Sequence, residues 1–355
     1  MSELYTPISE VAGDRANYGT IERDSESVLR KSGKTVWNSF NLKQPTISKL
    51  YTSFVFGFLL LWAIYKCSVY TPHGSSNEKD TAPNSPLDGE SNFIVDLTTY
   101  QTLFIIVNTT AAIADVEIIA NRNRDTKFAH IASDIFPQDL YDNQVYFQET
   151  REEDRYFLVL NTRNTNLRAN VTIRIYLPSK QPSLKNLNII LPVGKVNGST
   201  LTHSHFDNLN VKVDTGVIAF EVSESSYFDV RSSNITLQTS VGDISGTYSF
   251  SQAYSALSSQ GNVDCRLRVA PRSIPDISVG TSVGNVTARV TDTFRGSFSL
   301  FAKHGRTYIS GIRHMDYSTN TTSAKNGFFH GEKANSNISL YTNQGRIVLA
   351  FRRRI

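Results

Sequence analysis

Cysteine is scarce in this sequence. The 355 residues hold two, Cys67 and Cys265, which excludes the disulfide framework that small secreted domains depend on. An excess of charge is also lacking. The net balance is +4, and outside one short basic run the cations are dispersed, so no nucleic acid partner is expected. Signatures of catalysis are few: no phosphate-binding Gly-rich loop and no Cys–His metal spacing occurs. His203, His205 and Asp207 alternate along a segment with strand character. On a strand the outer two would stand about 13 Å apart, too far to share one metal ion at bonds of about 2 Å. No cofactor and no metal are expected, and the chain is not expected to be an enzyme.

Long apolar runs are absent except for one. Residues 49–70 carry a single charge after Leu50, Lys66, and are long enough to cross a hydrocarbon core of about 30 Å as a helix. Some fifty polar residues precede the run, so it reads as an uncleaved signal anchor and not a cleaved signal peptide. Arg30, Lys31, Lys34, Lys43 and Lys49 lie on its N-terminal side, which predicts a single-pass type II topology with the tail in the cytosol. The expected membranes are the plasma membrane or the endosomal and vacuolar membranes. Residues 1–48 have the composition of a disordered tail. Within it, Tyr5 and Ile8, then Tyr18 and Ile21, each space a tyrosine and a bulky apolar residue as clathrin adaptors read them. The basic run could equally lie on anionic lipid or serve only as the topology signal.

Residues 71–92 read as a stalk, rich in Ser, Pro, Asn and Gly without apolar periodicity. From residue 93, short runs rich in Val, Ile, Phe and Tyr read as strands: 103–107, 115–120, 144–148, 155–160 and 171–177. After residue 185 a repeat appears. Glycines 194, 216, 242, 261, 284, 305, 327 and 345 are spaced by 22, 26, 19, 23, 21, 22 and 18 residues. Seven and five positions before most of them stand apolar residues, such as Leu187 and Ile189, Ile277 and Val279, or Ile338 and Leu340. Between those two columns the residue is always Asn, Ser or Thr, and two positions after the glycine it is usually apolar again.

One such unit cannot bury its own apolar row, whereas copies stacked at about 4.8 Å bury a continuous core. The expected fold is therefore all-β: a parallel β-solenoid-like stack with rungs near 22 residues over 185–351. A β-rich N-terminal part of the outer domain, or a strand-rich cap, precedes it over 93–184, and a single transmembrane helix carries the whole. The unit around Gly327 has Asn320 and Thr322 at the apolar positions, so 315–336 is expected to be a loop or a degenerate rung. An antiparallel β-sandwich is the rival architecture.

Three corner sequences carry a resemblance: Thr239-Ser240-Val241-Gly242-Asp243-Ile244, Ser259-Gln260-Gly261-Asn262-Val263 and Thr281-Ser282-Val283-Gly284-Asn285-Val286. They resemble the corners of the putative-adhesin domains of unknown function found in bacteria and fungi, over about residues 185–350. A membrane-anchored form with a short tail resembles the fungal type. The resemblance implies adhesion and brings no catalytic set with it.

Asn-x-Ser/Thr sequons stand at Asn108, Asn170, Asn197, Asn234, Asn285, Asn320 and Asn337, all on the expected outer side. They are candidate glycosylation sites. The outward column Asn210, Thr236, Ser255, Ser278, Ser299 and Ser339 is the candidate binding ladder for glycans or cell-wall polymers. The expected function is surface or lumenal binding and adhesion, with a membrane-tethered polysaccharide-active enzyme as the alternative.

Overall fold

The structure is a computed structural model that describes residues 90–121, 127–137, 140, 144–163, 168–178, 184–198, 205–220, 230–270, 272–311, 315–329 and 335–352. The expected tail with Tyr5, Ile8, Tyr18 and Ile21, the membrane anchor at 49–70 and nearly all of the stalk lie outside those residues. Among the described residues no helix is long and apolar enough to cross a membrane.

The described residues are all-β with parallel strand stacking, and the middle of the stack climbs in chain order. β8 (Asn186–Asn197), β9 (His205–Phe220), β10 (Val230–Val241), β11 (Ile244–Gln260), β12 (Val263–Val269), β13 (Asp276–Val283) and β14 (Val286–Thr291) build two walls joined at glycine corners. In the first wall Leu187, Leu209, Ile235, Tyr254 and Ile277 lie level above level in register. In the second wall Val196, Ile218, Ile244, Val263 and Val286 do the same. Every one of these side chains is buried. Strand alternation sends them inward, and neighbouring rungs cover what one rung would leave wet. The parallel ladders replace the rival antiparallel sandwich.

The corner motif is explained by backbone sterics and by hydrogen bonds on its inner and outer sides. Gly242 and Gly284 hold φ near +143°, a region that a Cβ disfavours. A Cβ on Gly284 would also lie 2.0 Å from the Gly261 carbonyl oxygen one level away. Inside the corner, the Ser258 hydroxyl donates to Gly242 O at 2.9 Å, Thr281 to Gly261 O at 2.9 Å and Thr342 to Gly284 O at 3.0 Å. Outside it, the Asp243 carboxylate accepts from the Asn262 backbone N–H at 2.6 Å, and Asn262 Oδ1 accepts from the Asn285 N–H at 3.0 Å. The corners at Gly261, Gly284 and Gly345 are thus tied to the level beside them by the hydroxyls of Ser258, Thr281 and Thr342, and the Asp243 and Asn262 side chains tie successive corners from outside.

Both ends depart from chain order. β18 (Asn337–Arg352) enters between β13–β14 and β15 (Gly296–Ser310), pairing in parallel with all three. The inward column therefore runs Ile277, Ile338, Phe298. At the other end β2 (Thr102–Val107) and β3 (Ala112–Asn121) sit between β8 and the pair β6 (Arg155–Thr162) and β7 (Ala169–Pro178). Leu103 pairs with both Leu187 and Tyr156.

These pairings show what two further segments contribute. The strand-rich segment before residue 185 contributes two further parallel levels, and only its remaining strands act as a cover. Those are β1 (Glu90–Asp96), β4 (Phe128–Phe136) and β5 (Val145–Glu152), which add antiparallel to the stack. The segment expected as a loop or a degenerate rung contains a hairpin, β16 (Met315–Asn320) and β17 (Ala324–Phe329), laid antiparallel on the first half of β15. Gly327 faces Phe298 there, and no rung corner forms. The hairpin brings Phe329 against Phe298 and Phe351, with ring centroids 4.6 and 4.1 Å away, which closes that end of the core. Phe93 and Phe147 meet edge to face at 5.4 Å near the opposite end. Antiparallel cover of this kind blunts the open edges a parallel stack leaves.

Candidate binding face

The outward side of the first wall follows from the inward side, because its residues occupy the alternate positions. Asn188, Asn210, Thr236, Ser255, Ser278, Ser339 and Ser299 align at consecutive levels. The predicted ladder residues Asn210, Thr236, Ser255, Ser278, Ser299 and Ser339 are therefore together in one column, though not in sequence order at its end. Thr236 is exposed and the others are half-buried, while Asn188 is buried. Asn210 Nδ2 donates to Asn188 Oδ1 at 2.9 Å.

A second polar column runs beside it, and the repeat reading missed it. Asn234 Nδ2 donates to Asn208 Oδ1 at 2.9 Å, Asn208 Nδ2 to Asn186 Oδ1 at 2.6 Å, and Asn186 Nδ2 to the Thr102 hydroxyl at 3.0 Å. Further along the same column Asn337 Nδ2 donates to Asp276 Oδ1 at 3.3 Å and Ser297 Oγ to Asn337 Oδ1 at 3.1 Å. The signal was present as an asparagine one position before four of the apolar pairs, Asn186, Asn208, Asn234 and Asn337, while Ala253, Asp276 and Ser297 hold that position in the others. Aromatic rings border the face at one end and along one side. Phe104 and Phe157 stack at 4.5 Å with an interplanar angle of 8°, and half-buried Tyr341 lies over Gly280, whose added Cβ would meet the ring at 2.1 Å. Burial raises the Tyr341 phenol pKa above its ordinary value. Chemically the face offers hydroxyls and amides at the inter-strand spacing of about 4.8 Å, with apolar rings beside them.

The sequon asparagines are placed differently from one another. Asn108, Asn170, Asn285 and Asn320 are exposed; Asn197, Asn234 and Asn337 are half-buried. Asn234 and Asn337 point outward as expected, yet each already donates its Nδ2 within the second polar column. Asn285 serves the corner, its Oδ1 accepting from the Arg346 N–H at 2.9 Å.

Two groups could be mistaken for chemistry. Gly280-Thr281-Ser282-Val283-Gly284 spells a Gly-x-Ser-x-Gly pattern, but it runs along β13 into a corner and not through the strand-to-helix turn that exposes a nucleophile. Cys265 is fully buried and accepts a 2.8 Å hydrogen bond from the Tyr254 hydroxyl. Burial pushes its thiol up to about 12, the opposite of an activated cysteine. Burial likewise raises Tyr254 and Tyr248 well above the usual phenol range. His203 lies outside the described residues, and among those described no three His, Cys, Asp or Glu side chains are grouped to hold a metal ion.

No protein-family model matches the chain, and no curated protein matches it. Among solved structures, a putative cell adhesion protein from Clostridium sporogenes ATCC 15579 is 12% identical with a TM-score of 0.31, covering 74% of this chain and 99% of that one. A putative adhesin from Bacteroides fragilis NCTC 9343 is 13% identical with a TM-score of 0.33, covering 75% of this chain and 99% of its own. At such distances the likeness bears on neither ligand nor mechanism.

Proposed function

We propose that the stack is the outer, ligand-binding module of a single-pass type II membrane protein, adhesive and not catalytic, and that the outward side of the first wall is its contact surface. The observation that supports this is the unbroken column of Asn, Thr and Ser from Asn188 to Ser299 in register at seven levels. A rigid flat row of donors and acceptors suits many weak hydrogen bonds to a hydroxyl-rich polymer, each worth about 1 kcal/mol. Stacking holds the row in place without further ordering cost on binding. The ligands the surface fits are glycans of a cell wall or a neighbouring surface.

The full chain, solubilised and tested on neutral glycans, should bind without releasing sugar. Ser278→Arg, which puts a long side chain in the middle of the row and leaves the core untouched, should weaken binding by about ten-fold or more. Sugar release abolished by replacing one acid would favour the membrane-tethered enzyme instead.

A further inference from the structure

The second wall carries an exposed apolar patch that the core does not use. Phe136 on β4 is 67% exposed and Ile113 on β3 is 47% exposed. Both flank one position of β7: Asn170 pairs antiparallel with Phe136 and parallel with Ile113. Directly paired residues present their side chains to the same face about 5 Å apart, so the Asn170 amide stands between a phenyl ring and a branched alkyl group. Asn170 is itself exposed. Thr172, two residues on, returns to the same face and completes Asn-Val-Thr.

The contrast with two other sequons sharpens the point. Asn234 and Asn337 lie in the crowded polar column with their Nδ2 donated to Asn208 and Asp276. Asn170 stands instead between two exposed apolar side chains, Phe136 and Ile113.

We infer that Asn170 is a built N-glycan site and that the apolar face of its first sugar ring packs on Phe136 and Ile113. The inference rests on the proposed topology, which exposes this domain to the glycosylating side of the membrane. In the transfer, Asn170 Nδ2 forms a bond to the anomeric carbon of an oligosaccharide carried on a lipid pyrophosphate. The carbon–oxygen bond to that carrier breaks, the lipid pyrophosphate leaves with the electron pair, and the amide gives up one proton.

The test uses the full chain made in a eukaryotic secretory host, with sequon occupancy mapped by mass spectrometry and thermal midpoints measured. Asn170 should be occupied. Thr172→Ala, which abolishes that glycan alone, should lower the midpoint by about 2–4 °C. The same substitution in cells blocked in lipid-linked sugar synthesis should leave the midpoint unchanged, and in a Phe136→Ser background the glycan should no longer raise it. Occupancy at other sequons but not at Asn170 overturns this inference alone. Occupancy at none of the seven overturns the topology with it. An occupied Asn170 whose loss leaves the midpoint unmoved, or moves it equally without Phe136, overturns the packing.

Discussion

The middle of the stack and its two ends are built from the same kind of strand, yet only the middle keeps spatial order and chain order together. From β8 to β14 each rung lies on the one before it. At the ends a rung is inserted out of turn, β2–β3 at one and β18 at the other, and antiparallel strands cover what remains. A middle rung has neighbours above and below that close its core. An end rung has one, and must be finished by something that is not another rung.

Removing β18 should have the largest effect, because it separates β15 from the levels below. Ile338, Leu340, Ile347, Leu349 and Phe351 are all buried, and losing five such side chains forfeits on the order of 10 kcal/mol. A chain ending at Phe329 should lose hydrogen-exchange protection across β15, β16 and β17 while β8 to β12 stay protected. Retained protection in β15 would mean the inserted strand is dispensable.

Within the middle, Val279→Asp buries an unpaired carboxylate between Ala256 and Leu340, an effective cost of several kcal/mol. Ser278→Asp, one residue earlier on the outward side, should cost about 0.5 kcal/mol or less. Their denaturant midpoints compare the two sides of one strand directly, and equal losses would refute the inward and outward assignment.

Alkali should attack the middle too. Cys265 keeps its proton up to about 12 when folded, against an ordinary 9.0, so between those values the folded state binds more protons than the unfolded one. Stability then falls as pH rises, by about 1.4 kcal/mol per pH unit for this group, and it is unaffected by the thiol below pH 9. Cys265→Ala should flatten that fall in urea titrations between pH 9 and 11. In the native chain at pH 8, Cys265 should resist alkylation.

The smallest effect separates two inward hydroxyls of the same column. Thr281 donates to Gly261 O, so Thr281→Val should cost about 1 kcal/mol. Thr239 Oγ1 is buried and has no partner among the described residues, so Thr239→Val should cost nothing or stabilise slightly. A larger loss at Thr239 than at Thr281 in thermal melts would show that the corner bond contributes little.

Much of this was legible in the sequence because the stack has translational symmetry. A side chain that must sit above its copy at every level leaves a periodic trace, so Leu187, Leu209, Ile235, Tyr254 and Ile277 could be aligned without coordinates. The alternation that buried them also assigned Thr236 and Ser278 to the outside. The corner glycines carried the third signal, because close approach of successive backbones tolerates no Cβ.

What the sequence by itself determined was therefore the rung: its length, its inward pair, its polar outward residue and its glycine corner, all set by strand alternation and backbone sterics within some ten residues. What only the tertiary structure decided was the order of rungs at the ends and the amide chain through Asn186, Asn208 and Asn234. The exposed pair around Asn170 and the hairpin made from Met315–Phe329 were decided there as well. Each depends on which strand lies next to which. A parallel ladder accepts any strand of matching inward pattern, so Ile338 and Leu340 fit on Ile277 and Val279 as well as Phe298 and Leu300 would, and the pattern alone leaves the choice open.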